Sequence, residues 1–182
     1  MSSPARPVAV WTVGHSTRSA DEFIALLRAH DVRALADVRR FPGSRRHPHF
    51  AREELSVFLA RHDVEYAWMS ELGGRRTPRP DSANTGWRVA AFRGYADYME
   101  TPGFAAAIAQ LLELASRART AVMCAESLWW QCHRRLIADY LTARGHDVVH
   151  VESATKASPH KLMDPARIVD GRLNYSLDQL SL

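Results

Sequence analysis

Two cysteines, a glutamate and a histidine lie within ten residues of one another, and these side chains could support acid–base, nucleophilic or thiol chemistry. Cys124 and Glu126 follow an apolar run, and Cys132, His133 and Arg134 open a helical pattern. Thiolates act as nucleophiles, and carboxylates and imidazoles transfer protons. We therefore predict catalytic roles for Cys124, Glu126 and His133. We predict anion binding by Cys132 and Arg134, because a helix N-terminus offers free N–H groups and a positive dipole end.

Other interpretations of this segment stay open. Cys124, at the end of a buried strand, also suits a small core residue. A disulfide between Cys124 and Cys132 is an alternative, although the spacing is not C-x-x-C and a reducing compartment disfavours it. Cys124, Cys132, His133 and His15 offer enough ligands for zinc, but we expect no metal and no cofactor, because the spacing lacks a C-x2-C pair and Cys132 and His133 should point apart on a helix.

Two further segments carry polar side chains after apolar runs. His15, Ser16 and Thr17 offer hydroxyls and backbone N–H groups suited to phosphate, although neither a Walker motif nor a G-x-G-x-x-G fingerprint is present. Asp37 is a candidate catalytic carboxylate, and Arg39 is a candidate anion ligand. The alternative for Asp37 and Arg39 is an ion pair that shapes the floor of a cleft.

Strand and helix patterns alternate along the chain and predict the elements that must position these residues. They indicate an α/β, Rossmann-like three-layer fold, with a mostly parallel sheet of about five strands and helices on both faces. The predicted strands are residues 8–14, 33–38, 64–69, 120–123 and 147–151, and the last helix is predicted over residues 132–144. A long loop is expected over residues 75–86, and a short polar tail from residue 153.

Sheet topology brings the candidate residues together. In parallel sheets, ligands bind outside the carboxyl ends of the strands. Each reactive segment follows a different predicted strand, so all of them should meet at one edge of the sheet. The sequence therefore predicts one shared cleft.

Size and charge limit the class of protein. The 182 residues suit a single domain spanning residues 1–182, and the net charge is +4. No apolar run could span a bilayer, and the N-terminus lacks the apolar core of a secretory signal, so we expect a cytoplasmic protein without a membrane partner. Of 24 basic residues 22 are arginine, which suits a nucleotide or nucleic-acid partner. A solvated arginine-rich loop would look the same, and the sequence does not predict the oligomeric state.

Several motifs resemble one protein family. They are Thr12-Val13-Gly14-His15-Ser16, Asp37-Val38-Arg39 followed by Pro42 and Ser44, Leu72-Gly73-Gly74, and Cys124-Ala125-Glu126 with Cys132-His133-Arg134. In this order, over residues 11–151, they resemble the domain-of-unknown-function 488 family. The resemblance implies a compact Rossmann-like domain in which the motif residues, Ser44 among the anion-binding ones, form one shared site. It implies no settled activity.

Three functions follow as expectations. The first is an enzyme that acts on a phosphate-bearing substrate, with Glu126 as acid–base group and Arg134 holding the anion. The second is a nucleotide or nucleic-acid binding module without chemistry. The third is a thiol-based redox or sulfur-transfer protein that uses Cys124 and Cys132.

Overall fold

The computed structural model describes residues 6–43 and 45–177, which form a main sheet between two layers of helices. The regular elements are β1 (Ala9–Gly14), α1 (Ala20–Ala29), β2 (Ala34–Asp37), α2 (Arg52–Ala60), β3 (Glu65–Trp68), α3 (Ala90–Met99), α4 (Pro102–Arg117), β4 (Thr120–Cys124), α5 (Arg134–Ala143), β5 (Asp147–Ser153), β6 (Lys156–Pro159), β7 (Arg167–Val169) and β8 (Arg172–Asn174). Short 3-10 turns occur at Pro48–Phe50, Ser70–Leu72 and Trp129–Gln131.

The main sheet has the strand order β3-β2-β4-β1-β5-β6, and β1 to β5 run parallel. β4 therefore lies between β1 and β2, where Gly14 pairs with Cys124 and Asp37 pairs with Met123. This topology confirms the predicted α/β, Rossmann-like class and sets the carboxyl ends of three strands side by side. The sheet has six strands, one more than expected, because β6 adds an antiparallel edge.

Successive residues of the central strands face opposite sides of the sheet, and each side has its own core. Leu35 and Met123 pack with α1 and α2, whereas Ala36 and Val122 pack with α3, α4 and α5. Because β2 is covered on both faces, all four of its residues are buried. Among the residues that the structure describes, no helix has the length and apolar content to cross a bilayer.

Local sequence signals determine where the helices begin. Ser19 and Glu22 form a capping box at α1, in which each side chain accepts a hydrogen bond from the other residue's backbone N–H. Thr101 caps α4, and Pro102 occupies its first turn, where a missing N–H costs nothing.

The C-terminal part is more ordered than the predicted polar tail. β6 pairs with β5 at the sheet edge, and β7 and β8 form a separate two-stranded hairpin. The residues of β6 are mostly exposed. The strand therefore lacks the alternation of apolar and polar residues from which a strand is predicted in a sequence.

A buried chain of hydrogen bonds ties this C-terminal part to the sheet. Thr12 Oγ1 lies 2.7 Å from His150 Nδ1, and His150 Nε2 lies 2.9 Å from His160 Nδ1. His160 Nε2 and the Tyr175 hydroxyl donate to the two oxygens of the Asp139 carboxylate, at 2.8 and 2.9 Å. Because a carboxylate only accepts hydrogen bonds, the chain is satisfied when both imidazoles are neutral.

Candidate functional site

A cleft opens at the carboxyl ends of β1, β2 and β4, as the topology predicts. Its inner part is a cavity of about 300 Å³, lined by residues 39–41, 74–75, 91–92, 124–126 and 131–133. Its outer part is a cavity of about 620 Å³ that adds residues 15–17 and 46–47. Both parts share Arg39, Arg75 and Glu126, so they are adjoining halves of one cleft.

Cys124, Cys132 and His133 line the inner cavity as a compact cluster. His133 Nδ1 lies 4.0 Å from the Cys124 sulfur and 3.6 Å from the Cys132 sulfur. The three atoms all lie within 4.8 Å of one another. We call this group the thiol–imidazole cluster.

The expectation that Cys132 and His133 point apart on a helix was wrong. α5 begins at Arg134, not at Cys132, and Cys132 has an extended backbone with φ −123° and ψ 151°. A 3-10 turn at Trp129–Gln131 reverses the chain just before it, and the Cys132 N–H donates to the Trp129 carbonyl at 3.2 Å. Because the backbone is extended at Cys132 and helical at His133, both side chains point to the same side.

The two thiols differ in acidity because they share a hydrogen bond. That bond and burial raise the pKa of Cys124 well above its usual value. The same bond, a hydrogen bond to His133 and the positive charge of Arg134 hold the pKa of Cys132 well below its usual value.

Arg134 does not face the cleft, which corrects its predicted role as an anion ligand. Its side chain is only 1% exposed. The guanidinium donates to the carbonyls of Glu126 and Ser127 and, through Nε, to the Cys132 sulfur at 3.5 Å. Arg134 thus braces the segment after β4 from behind.

Asp37 also lies outside both cavities, which corrects its predicted catalytic role. It is fully buried and forms a two-pronged ion pair with Arg39, at 2.9 and 2.6 Å, and the Tyr66 hydroxyl donates to it at 2.6 Å. The predicted alternative, an ion pair beneath the cleft, is therefore present. Burial, together with the Asp37 charge, raises the pKa of Tyr66, because both oppose ionisation of the phenol.

His15 is a buried wall of the outer cavity. Its ring stacks on Phe50 at 4.1 Å, Nδ1 donates to the Ser16 carbonyl at 2.9 Å, and Nε2 lies 3.3 Å from Arg39 Nη1. Burial, together with the Arg39 charge, lowers its pKa to about 4, so the ring is neutral near pH 7. Ser16 and Thr17 line the same cavity.

Glu126 has the exposed carboxylate that the sequence predicted at the rim of the cleft. Among the described residues that line either cavity, it is the only acid. Its backbone is packed so closely on Gly14 that a Cβ there would fall 1.9 Å from the Glu126 carbonyl oxygen. The glycine that ends β1 therefore allows the segment after β4 to lie across it.

The exposed cations of the cleft come from residues that the sequence analysis did not assign to the site. Arg40 and Arg75 line the inner cavity, and Arg46 lines the outer one. The Arg40 guanidinium donates to the Arg75 carbonyl at 3.2 Å. Arg75 has a left-handed backbone with φ 59°, which is uncommon outside glycine and recurs at functional sites.

Gly74 is a further residue of the site to which we assigned no role from the sequence. A Cβ at this position would lie 2.9 Å from His133 Nδ1, so only glycine leaves room for the imidazole. The Gly73-Gly74 pair signalled a turn but did not indicate which ring it would face. Ser44, predicted to bind the anion, lies outside the described residues.

This fold and this site define a Rossmann-like α/β protein with a cysteine–histidine cluster at the carboxyl edge of its sheet. Residues 19–141 match the family model described as "Domain of unknown function DUF488", and the chain belongs to this family. The match confirms the resemblance seen in the motifs and covers all of them except the one around His15. No curated protein and no solved structure gives a significant match.

Proposed function

We propose that the protein is an enzyme that cleaves a bond in a phosphate-bearing substrate, a nucleotide or nucleic acid, within this cleft. The observation that carries the proposal is a single cavity lined by the thiol–imidazole cluster, the Glu126 carboxylate and two exposed arginines. Reactive groups and anion-binding groups therefore face the same volume of about 300 Å³, which is the lower end of the range for small-molecule sites.

The charge of the cleft favours an anionic substrate. Arg40, Arg46 and Arg75 are exposed, whereas Glu126 is the single acid among the described lining residues. The fourth arginine of the lining, Arg39, is already neutralised by Asp37. Arginine forks bind phosphate oxygens in pairs, so Arg40 and Arg75 supply the binding that we first expected from Arg134.

Glu126 is the proposed acid–base group. It lies two residues after Cys124 on the segment that Arg134 braces, so its carboxylate is carried on a fixed backbone beside the cluster. A substrate held by Arg75 would lie in the cavity that Glu126 and the cluster also line. Proton transfer by such a carboxylate is worth roughly 10²–10⁴ in rate.

The test is a screen of nucleotides and of DNA and RNA oligonucleotides against four proteins. They are the wild type, Glu126→Gln, Arg75→Gln and the matched control Arg61→Gln, which changes an exposed arginine that lines neither cavity. We expect Glu126→Gln to lose turnover and keep binding, and Arg75→Gln to weaken binding roughly tenfold or more. The control should match the wild type.

Two results would contradict this proposal. The absence of binding to every phosphate-bearing probe at low salt would remove the substrate class, since contacts to phosphate strengthen as salt falls. Binding without turnover by the wild type would favour the non-catalytic binding module.

A thiol-based redox or sulfur-transfer protein is the second candidate. It is favoured by the two sulfur atoms, which lie within 4.8 Å of each other and line the cavity. An oxidant such as diamide would take two electrons and two protons from the pair and leave a Cys124–Cys132 disulfide. Fast, reversible formation of that disulfide, detected as a mass loss of about 2 Da, would support this candidate.

A further inference from the structure

We propose that Cys124, Cys132 and His133 bind a thiophilic divalent cation, zinc in the first instance, with one coordination position open to the inner cavity. The proposal replaces our expectation of no metal, which assumed that Cys132 and His133 diverge. Binding of the cation follows from the cluster itself, whereas a role for it in bond cleavage rests on the proposed function.

The spacing of the cluster is that of three corners of a tetrahedral zinc site. Zinc–sulfur bonds of about 2.3 Å and zinc–nitrogen bonds of about 2.0–2.1 Å place neighbouring ligand atoms about 3.6–3.8 Å apart. The observed separations from His133 Nδ1 to the two sulfurs are 3.6 and 4.0 Å. The two sulfurs lie no more than 4.8 Å apart, so shifts of about 1 Å or less would complete the coordination.

The chain holds each ligand before any cation binds. Cys124 ends the central strand β4, and its carbonyl accepts from the His15 N–H at 3.0 Å. Cys132 is only 3% exposed and receives the Arg134 Nε–H at its sulfur. The His133 ring lies between Gly74 and Tyr95, whose ring centre is 5.2 Å away.

The hydrogen bonding of His133 directs the ring toward the sulfurs. Its Nδ1 faces both thiols, whereas its Nε2 is buried and has no partner among the described residues. Zinc bound at Nδ1 would leave the proton on Nε2, and two thiolates would neutralise the cation. Arg134 then acts as the outer-shell donor to Cys132, the kind of contact that tunes thiolate ligands.

Three protein ligands beside a cavity are typical of catalytic zinc, because structural zinc sites close all four positions with protein. The open position would face the space shared with Glu126 and Arg75. A water molecule there would lose its proton more readily than bulk water and could attack a substrate bound by the arginines. Glu126 would accept that proton.

The experiment uses the full chain, stripped with a chelator under reducing conditions and then titrated with Zn²⁺ against a competing indicator. We expect one equivalent of zinc per chain. Cobalt in place of zinc should give the intense visible bands of tetrahedral coordination and a thiolate-to-cobalt charge-transfer band in the near ultraviolet.

Variants identify the ligands. Cys124→Ser, Cys132→Ser and His133→Gln should each weaken zinc binding by more than the roughly 10–100-fold that loss of an outer-shell partner causes. His62→Gln is the matched control, because His62 lies outside the cluster and bonds to Arg28. Circular dichroism of each variant establishes that the fold is retained.

The proposal is overturned if the reduced wild type binds less than one equivalent of zinc, or if cobalt gives no thiolate band. It is also overturned if the ligand variants bind as tightly as the wild type. Zinc binding without turnover of any phosphate-bearing substrate would uphold the metal site and reject the proposed function. Turnover by metal-free protein would uphold the proposed function and reject a role for the cation in bond cleavage.

Discussion

His133 Nδ1 lies 3.6 Å from the sulfur of Cys132, the residue that immediately precedes it in the chain. Neighbouring residues within one helix diverge by about 100°, so this contact exists only because the helix starts after both of them. The boundary between the 3-10 turn at Trp129–Gln131 and α5 thus creates the cluster. The same boundary directs Arg134 inward, away from the cleft.

Replacing Gly74 by alanine should displace the imidazole of the cluster. The new Cβ would lie 2.9 Å from His133 Nδ1, so the ring must move, and overpacking of this kind costs about 1–3 kcal/mol. Urea denaturation would measure the stability, and cobalt spectra would report the cluster. Gly43→Ala is the control, because no atom lies within 4 Å of the Cβ added there. Equal behaviour of both variants would contradict the packing of His133 on Gly74.

Replacing Asp37 by asparagine should destabilise the protein strongly. Arg39 would keep its buried charge without a carboxylate partner, and breaking a buried ion pair in this way costs about 3–5 kcal/mol. The matched control is Asp31→Asn, which breaks an exposed pair with Arg33 and should change the urea midpoint little. If the two variants had similar midpoints, the Asp37–Arg39 pair would not support the floor of the cleft.

Stability should fall as the pH is lowered from about 6.5 toward 3, in part through His150. Burial and the neighbouring His160 lower the pKa of His150 to about 3. Between about pH 6.5 and 3, His150 therefore binds a proton in the unfolded chain but not in the folded chain. The free energy of unfolding then decreases by about 1.4 kcal/mol per pH unit for this group. Urea titrations at several pH values should show a shallower slope for His150→Gln. An unchanged slope would exclude His150 as a source of the acid sensitivity.

Arg134→Lys should lower stability without directly removing a substrate contact. A lysine cannot reach two carbonyls and the Cys132 sulfur at once, and buried groups left unsatisfied cost about 1–3 kcal/mol. Arg61→Lys, on the surface, is the control. An Arg134→Lys protein with wild-type stability and much weaker substrate binding would restore the anion-binding role that we first predicted.

The sequence was sufficient for the five parallel strands, because short buried runs alternate with helices along the chain, but it predicted neither their order nor the sixth strand. It was also sufficient to gather His15, Arg39, Cys124 and Glu126 at one edge, since topology alone brings strand ends together. The sequence was insufficient to predict the direction of side chains that follow a backbone turn. The side chains of Cys132 and His133 converge because the backbone of Cys132 is extended. The periodicity of the sequence does not indicate this backbone conformation.

The cations of the cleft were missed for the same reason. Arg40 and Arg75 lie on loops whose paths depend on tertiary contacts, including a hydrogen bond between them. We predicted anion binding by Arg134 because it begins a helix. The start of a helix determines the backbone conformation but not the direction of a long side chain. Exposed loop arginines next to a glycine pair would have been the better signal.

The place of β4 between β1 and β2 has a consequence for synthesis of the chain. Until residues 120–124 leave the ribosome, the two strands that support His15 and Arg39 have no strand between them, and their facing edges are unpaired. The cleft is therefore completed late in folding, by insertion of the strand that ends in Cys124. A nascent chain that stops before Thr120 should expose the unpaired edges of β1 and β2 and associate with other chains.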